Sequence, residues 1–172
     1  LRTRDTLKEL QTIVDKVEQN WQLSGTGLFH RSFANPDLAV HSADWTGLTL
    51  LSKGHFDKAN CMHAPHTRKA LRELLPHIAP APGPQQCGAR IYRRAPGGKL
   101  RSHVGPGGRL VAHLGLRVPD RQLAHLSVVD SNGHRIRRAW KEGQWLVFDD
   151  AHTHSAENAH PTTARYILHV TF

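Results

Sequence analysis

Apolar residues recur in three- and four-residue steps near the start of the chain: Leu7, Leu10, Ile13, Val14, Val17 and Trp21. The recurrence matches a helical turn and predicts an amphipathic helix from Thr3 to Gln22. Asp5 or Thr6 is placed to cap its start, and "SGTG" from Ser24 to end it. From Leu28 to Gly54 the pattern is irregular, although "TGLTLLSKG" reads as a strand running into a turn. A second helical stripe, Ala70, Leu71, Leu74, Leu75 and Ile78, follows Thr67, a capping residue type. Pro76 falls near the end of that helix, as a terminator would, and "APAPGPQQ" beyond it reads as an exposed linker.

After the linker the period changes to two. Candidate strands are "ARIYRR", "KLRSHV", "RLVAHLGLRV", "AHLSVVD", "HRIRRAW", "QWLVFD" and "RYILHVTF". "APGG", "GPGG", "PDRQ", "DSNG" and "KEG" punctuate them, and Asn-Gly tolerates the positive φ of a tight hairpin. Many short strands with glycine-rich turns predict a sandwich or barrel. The expected fold is mainly β with N-terminal helices in a single domain. Residues 1–80 would be helical support and irregular segments, and 88–172 the β core.

At 172 residues, 38% hydrophobic and 22% charged, the chain is long enough for one domain with a sizeable core. No apolar run reaches the roughly 18 residues of a membrane span, and no signal-peptide pattern opens the chain. A cytoplasmic chain is the favoured expectation. The start at Leu1 leaves a lumenal or membrane-anchored parent open. The net charge of +9 suits an acidic partner, but the basic residues are scattered and no aromatic–basic RNA-recognition motif is present. Nucleic acid is therefore not the expected partner, and a solvated basic surface is the plain reading. Cys61 and Cys87 are neither a disulfide framework nor a zinc ribbon, and pair only if the fold brings them together.

The 14 histidines make metal chemistry worth testing. His103 and His113 sit at or near strands; His152 and His154 sit just beyond "QWLVFDD", at a strand-to-loop junction. Neutral imidazole suits iron, zinc, copper and nickel, and histidines on facing strands of a jelly roll make a metal cup. Arg165 opens the last strand, where a guanidinium offers a planar fork to a carboxylate. Any one of these residues alone is more often surface or core; their combination is the signal.

The ordered blocks "HVGP", "HLGLRVP", "WKEG", "FDDAHTHSAEN" and "RYILHV" resemble the aspartyl/asparaginyl β-hydroxylase family. "NCMHAPHT" before the second helix looks like a further family block, and the strong blocks span Arg90 to Phe172. The resemblance implies a double-stranded β-helix (jelly-roll, cupin-like) and an Fe(II)- and 2-oxoglutarate-dependent dioxygenase. It implies His103 and His154 as iron ligands, and Gly105 where most relatives of that fold place a carboxylate ligand. By the same resemblance His113 would contact the oxoacid end of 2-oxoglutarate, and Arg165 would pair with its distal carboxylate. Asp149 and Asp150 would shape a loop, with Asp150 as a third ligand a minority option. Two departures stand out. Val111 replaces an arginine that would contact the co-substrate, although Arg109 matches, and Tyr92 replaces a serine whose role its hydroxyl is expected to take.

The implied substrate is an Asp or Asn side chain in a peptide, protein or carrier-bound amino acid, with an acyl chain in related members. Arg93, Arg94, Arg101 and Arg137 are expected near the mouth of the barrel. A missing carboxylate ligand also fits a 2-oxoglutarate-dependent halogenase, and a non-catalytic basic β-barrel is the alternative outside enzymes.

Overall fold

The computed structural model describes residues 4–24, 30–31, 45–78, 87–105, 108–120 and 122–172. The first helix, α1 (Arg4–Ser24), follows the predicted stripe, with Leu10, Ile13, Val14 and Val17 buried. The short β1 (His30–Arg31) falls in the segment expected to be irregular, and β2 (Trp45–Ser52) is the strand read in "TGLTLLSKG". A turn leads from β2 to β3 (His55–Phe56) and the short α2 (Lys58–Cys61). The next helix, α3 (Pro65–Ile78), begins earlier than Thr67 predicts, with Pro at its first position. Its cap comes from α1: Glu9 accepts the His66 and Thr67 amides at 2.9 and 2.8 Å, and the Thr67 hydroxyl at 2.6 Å. A carboxylate there satisfies orphan N–H groups and the positive helix end at once, which ties the two helices together. The "APAPGPQQ" segment lies outside the described residues.

Eight strands follow: β4 (Gly88–Arg94), β5 (Lys99–His103), β6 (Leu110–Arg117), β7 (Ala124–Val129), β8 (Arg135–Ala139), β9 (Trp145–Asp149), β10 (His154–Asn158) and β11 (Arg165–Thr171). They divide between two sheets. One runs β1-β2-β4-β11-β6-β9, with β3 on β2; the other runs β5-β10-β7-β8. The first strand of the eight pairs with the last and the second with the seventh, all antiparallel, which is the winding of a jelly roll. Seven of the eight match candidate strands. The eighth, β10, does not: "HSAEN" carries no apolar alternation, yet it pairs on both sides, with β5 and β7.

The layers follow from alternation. On the larger sheet Ile91, Leu114, Leu116, Tyr166, Leu168 and Val170 face the helices and join Leu10, Val14 and Leu71 in one core. A second, smaller core of Tyr92, Leu126, Trp140, Ala156 and Ile167 lies between the sheets. Cys61 and Cys87 are both buried and form no disulfide with each other. Among the described residues no helix is long and apolar enough to cross a membrane.

Candidate active site

Between the sheets, beside the smaller core, a cavity of about 660 Å³ opens to solvent. Its wall on the larger sheet comes from the inward positions of β4, β11 and β6: Arg90, Tyr92 and Arg94; Arg165, Ile167 and His169; and His113. The opposite wall carries His103 and His154.

A β-bulge brings these two histidines together. His154 pairs with His103 and Ala156 with Leu100, so two steps on β10 face three on β5. Without the extra residue, the alternation that turns Leu100 inward would turn His103 outward; the bulge re-aims it. The ring centroids are 4.2 Å apart. Each Nδ1–H donates to a backbone carbonyl two residues back, His103 to Arg101 and His154 to His152, both at 2.8 Å. Those bonds fix the tautomers and leave both Nε2 lone pairs for a ligand, as in many metal-binding imidazoles. Burial, followed by smaller influences including His103, lowers the His154 pKa, so its ring is neutral and able to ligate. His152 and His113 do not join the pair: His152 gives its carbonyl, and His113 stands on the facing sheet.

Gly105 has a steric explanation. A Cβ built there would lie 1.7 Å from Asp150 Oδ2. The Asp150 carboxylate, 4% exposed, fills the space beside the glycine and is held by Arg109 at 2.6 Å from Nε and 2.5 Å from Nη2. Its other oxygen lies 3.5 Å from His154 Nε2. Asp149 shapes the turn by accepting the Ala151 amide at 2.8 Å. Among the described residues no three His, Cys, Asp or Glu side chains form a ready metal cage. The donor set is therefore two imidazoles with a carboxylate alongside, paired to arginine.

Arg165 is the other pole of the cavity. It is 3% exposed, its guanidinium lies 4.1 Å over the Trp140 ring, and its Nε and Nη1 have no hydrogen-bond partner. Burial, and then Arg94, pull its pKa well down, a penalty that an incoming carboxylate would relieve. Asn158 frames this corner by donating from Nδ2 to the carbonyls of Arg94, Ala95 and Thr163. Buried unpartnered donors on a cation, in an open cavity, fit the distal carboxylate of a diacid such as 2-oxoglutarate.

Trp140 reaches this position because Gly115 lets its loop approach: a Cβ at 115 would lie 2.3 Å from the Lys141 carbonyl oxygen. The Gly143 amide donates to the Gly115 carbonyl at 2.9 Å and locks the loop on β6. The buried indole then donates from Nε1 to His113 Nδ1 at 3.2 Å, and His113 Nε2 lies 2.9 Å from His169 Nδ1. Both nitrogens of His113 are thus engaged within the protein. The His169 ring beyond it also lines the cavity.

Other expected residues fall as follows. The Tyr92 hydroxyl accepts from Arg90 Nη1 at 3.3 Å on the cavity wall. Arg109 lines the cavity with its guanidinium on Asp150. Val111 is fully buried. Of the four arginines expected near the mouth, only Arg94 lines the cavity. Arg93 alternates away, bonding Tyr166 Oη at 3.0 Å on the helix side. Arg101 and Arg137 lie on the four-stranded sheet, exposed; Arg101 borders a separate groove and Arg137 donates to His125 at 2.7 Å. Sequence reading passed over Arg90, His169 and Trp140. Strand alternation offered the signal for the first two, since Arg90 shares a face with Tyr92, and His169 with Arg165.

The model of the family described as Aspartyl/Asparaginyl beta-hydroxylase matches residues 6–172. The ornithine lipid ester-linked acyl 2-hydroxylase of Rhizobium tropici is 33% identical over 139 residues, 79% of this chain and 44% of that protein. The aspartyl/asparaginyl beta-hydroxylase of Mus musculus is 28% identical over 158 residues, 83% of this chain and 19% of that one. The chain thus spans under half the length of these relatives. In fold it is similar to a prolyl hydroxylase of Trichoplax adhaerens crystallised with a hypoxia-inducible-factor peptide, at a TM-score of 0.65 and 11% identity, covering 97% of this chain and 77% of that one. A Pseudomonas putida prolyl-4-hydroxylase superposes at 0.61 and 12% identity, covering 96% and 86%.

Proposed function

Because the chain belongs to the aspartyl/asparaginyl β-hydroxylase family, we propose that it is an Fe(II)- and 2-oxoglutarate-dependent hydroxylase of the β-carbon of an Asp or Asn side chain. The substrate residue would be part of a peptide, a protein or a carrier-bound amino acid. The observation that carries the reading is one cavity with two backbone-oriented imidazoles on one wall and a buried arginine with unpartnered Nε and Nη1 on the other. His103 and His154 would hold iron through Nε2. Arg165 would hold the distal carboxylate of 2-oxoglutarate in a water-poor corner, where a charge pair is stronger. His113, with both ring nitrogens hydrogen-bonded to Trp140 and His169, would act on the other end of the co-substrate through its neighbour, and Tyr92 and Arg109 would shape the wall around it. Bound iron supplies the oxidative chemistry: dioxygen and 2-oxoglutarate give succinate and carbon dioxide while one oxygen atom enters the substrate C–H bond. The protein's share is to bind, orient and exclude water.

The arginines at the cavity support an acidic substrate. The carboxylate beside Gly105 weighs against a halogenase, because a halide would meet Asp150 there. Purified protein with Fe(II), 2-oxoglutarate and Asp- or Asn-containing peptides should form succinate and a product one oxygen heavier. Succinate with an oxidised acyl chain and no oxidised peptide would replace the substrate assignment. Turnover in chloride giving a chlorinated product would replace the reaction. No succinate under any condition would leave a binding module.

A further inference from the structure

On the inward face of β11, His169 stands in direct cross-strand register with Arg90 on one side and His113 on the other. Trp140, His113 and His169 form a chain of hydrogen bonds whose direction is fixed at its start. An indole nitrogen only donates, so His113 Nδ1 must accept, and a neutral His113 ring carries its proton on Nε2. That Nε2–H points at His169 Nδ1, which must accept in turn. His169 then carries its proton on Nε2, at the end of the chain, in the ring that lines the cavity. Neutrality of both rings is secured chiefly by burial. Next comes His169 for His113, whose pKa is lowered well below the usual range; for His169, pushed down to about 3, Arg90 and then Arg109 follow. Meanwhile Val111, one inward position from His113 on β6, offers only a buried apolar group.

Resting on the 2-oxoglutarate reading above, we propose that His169 Nε2–H is the donor to the metal-side carboxylate of the oxo-diacid. Trp140 and His113 are positioning residues that fix its tautomer, and the relay stands in for the arginine absent at Val111. Arg165 and His169 share one face of one strand, about 13 Å apart over four residues, a span suited to a diacid held at both ends by side chains. Trp140 serves both ends: its face carries the Arg165 guanidinium and its N–H sets the relay. The neighbouring Arg90, whose Nη1 donates to the Tyr92 hydroxyl at 3.3 Å, adds positive charge beside it.

Two measurements on the full chain test this. Nitrogen-15 NMR of histidine-labelled protein should show the Nε2–H tautomer at both His113 and His169, and loss of that fixed state in Trp140→Phe, which keeps a ring under Arg165. An Nδ1–H tautomer at His169 overturns the proposal. Calorimetry on the zinc-loaded protein then compares 2-oxoglutarate with 4-oxopentanoate, in which a methyl group replaces the metal-side carboxylate. His169→Leu should weaken 2-oxoglutarate about 10- to 100-fold, the range of a hydrogen bond to a charged group, and leave 4-oxopentanoate unchanged. His169→Gln, which restores an N–H near Nε2, should recover most of the loss. If wild type binds 2-oxoglutarate and His169→Leu binds it equally well, the relay is wrong and the reading of the cavity stands. If wild type does not bind 2-oxoglutarate, that reading falls and the relay with it.

Discussion

The two faces of β11 divide one strand between two tasks. Tyr166, Leu168 and Val170 face the helices in the larger apolar core. Arg165, Ile167 and His169 face the cavity, where a cation and an imidazole stand in place of packed hydrocarbon. Each residue step crosses from one task to the other, because successive side chains leave a strand on opposite sides. The helix side stabilises by removing apolar area from water. The cavity side does the reverse: it keeps a buried arginine with unpartnered donors, an arrangement that is unfavourable until a ligand completes it. Substitutions on the two faces should therefore separate binding from stability.

The largest effect is expected at the metal wall facing β11. His103→Ala or His154→Ala should reduce Fe(II)-dependent succinate formation to background, at least about 10²-fold, since even outer partners of metal ligands cost 10–100-fold. Metal-binding titrations on the same variants would check that the loss begins at the metal. Next comes Arg165→Met, which removes the distal anchor and fills its place with hydrocarbon. The Kd for 2-oxoglutarate should rise about 10²-fold or more, with the thermal midpoint held or raised. Unchanged affinity would show that the anchor lies elsewhere.

On the helix side, Leu168→Ala should cost about 2–5 kcal/mol of stability, as a large-to-small core change does. Urea denaturation would measure it, and the folded fraction should bind 2-oxoglutarate as wild type does. A shift in affinity comparable to that of Arg165→Met would erase the distinction between the faces.

The contrast also has a pH signature. His169 is held near a pKa of about 3 in the fold, against 6.5 for an unhindered ring. Between those values the unfolded chain binds the extra proton and the fold does not, so stability falls as pH drops from about 6.5 toward about 3 and is independent of this group above it. Thermal melts of His169→Gln should show a flatter pH dependence in that window. The smallest effect is expected at Lys99, which is 58% exposed and pairs with Glu157 at 2.7 Å on the outer face of the four-stranded sheet. Lys99→Ala should change stability by less than about 1 kcal/mol and leave 2-oxoglutarate binding intact.

Much of this division is legible in the chain. Helix α1 and seven of the eight jelly-roll strands announce themselves by period, because burying one face forces a repeat of near four or of two. The ordered blocks around His103, His154 and Arg165 mark residues that the fold brings to one cavity. What stays hidden has physical causes. "HSAEN" lacks apolar alternation because its inward positions serve the site, with His154 and Asn158 among them, so β10 does not read as a strand. The β5 bulge is a matter of register between strands distant in sequence, and no local pattern encodes it. Arg93 and Arg94 look alike in sequence, yet one residue of alternation sends the first to the helices and the second to the cavity. Asp150 reads as a loop residue until its contact with Gly105, across the barrel's rim, shows why no side chain fits there.

The most direct test of the account is a structure of the chain with zinc in place of iron and 2-oxoglutarate bound. It should show the metal on the Nε2 atoms of His103 and His154 and the distal carboxylate on Nε and Nη1 of Arg165. A metal held away from those two histidines, or a diacid that leaves Arg165 unpartnered, would contradict it.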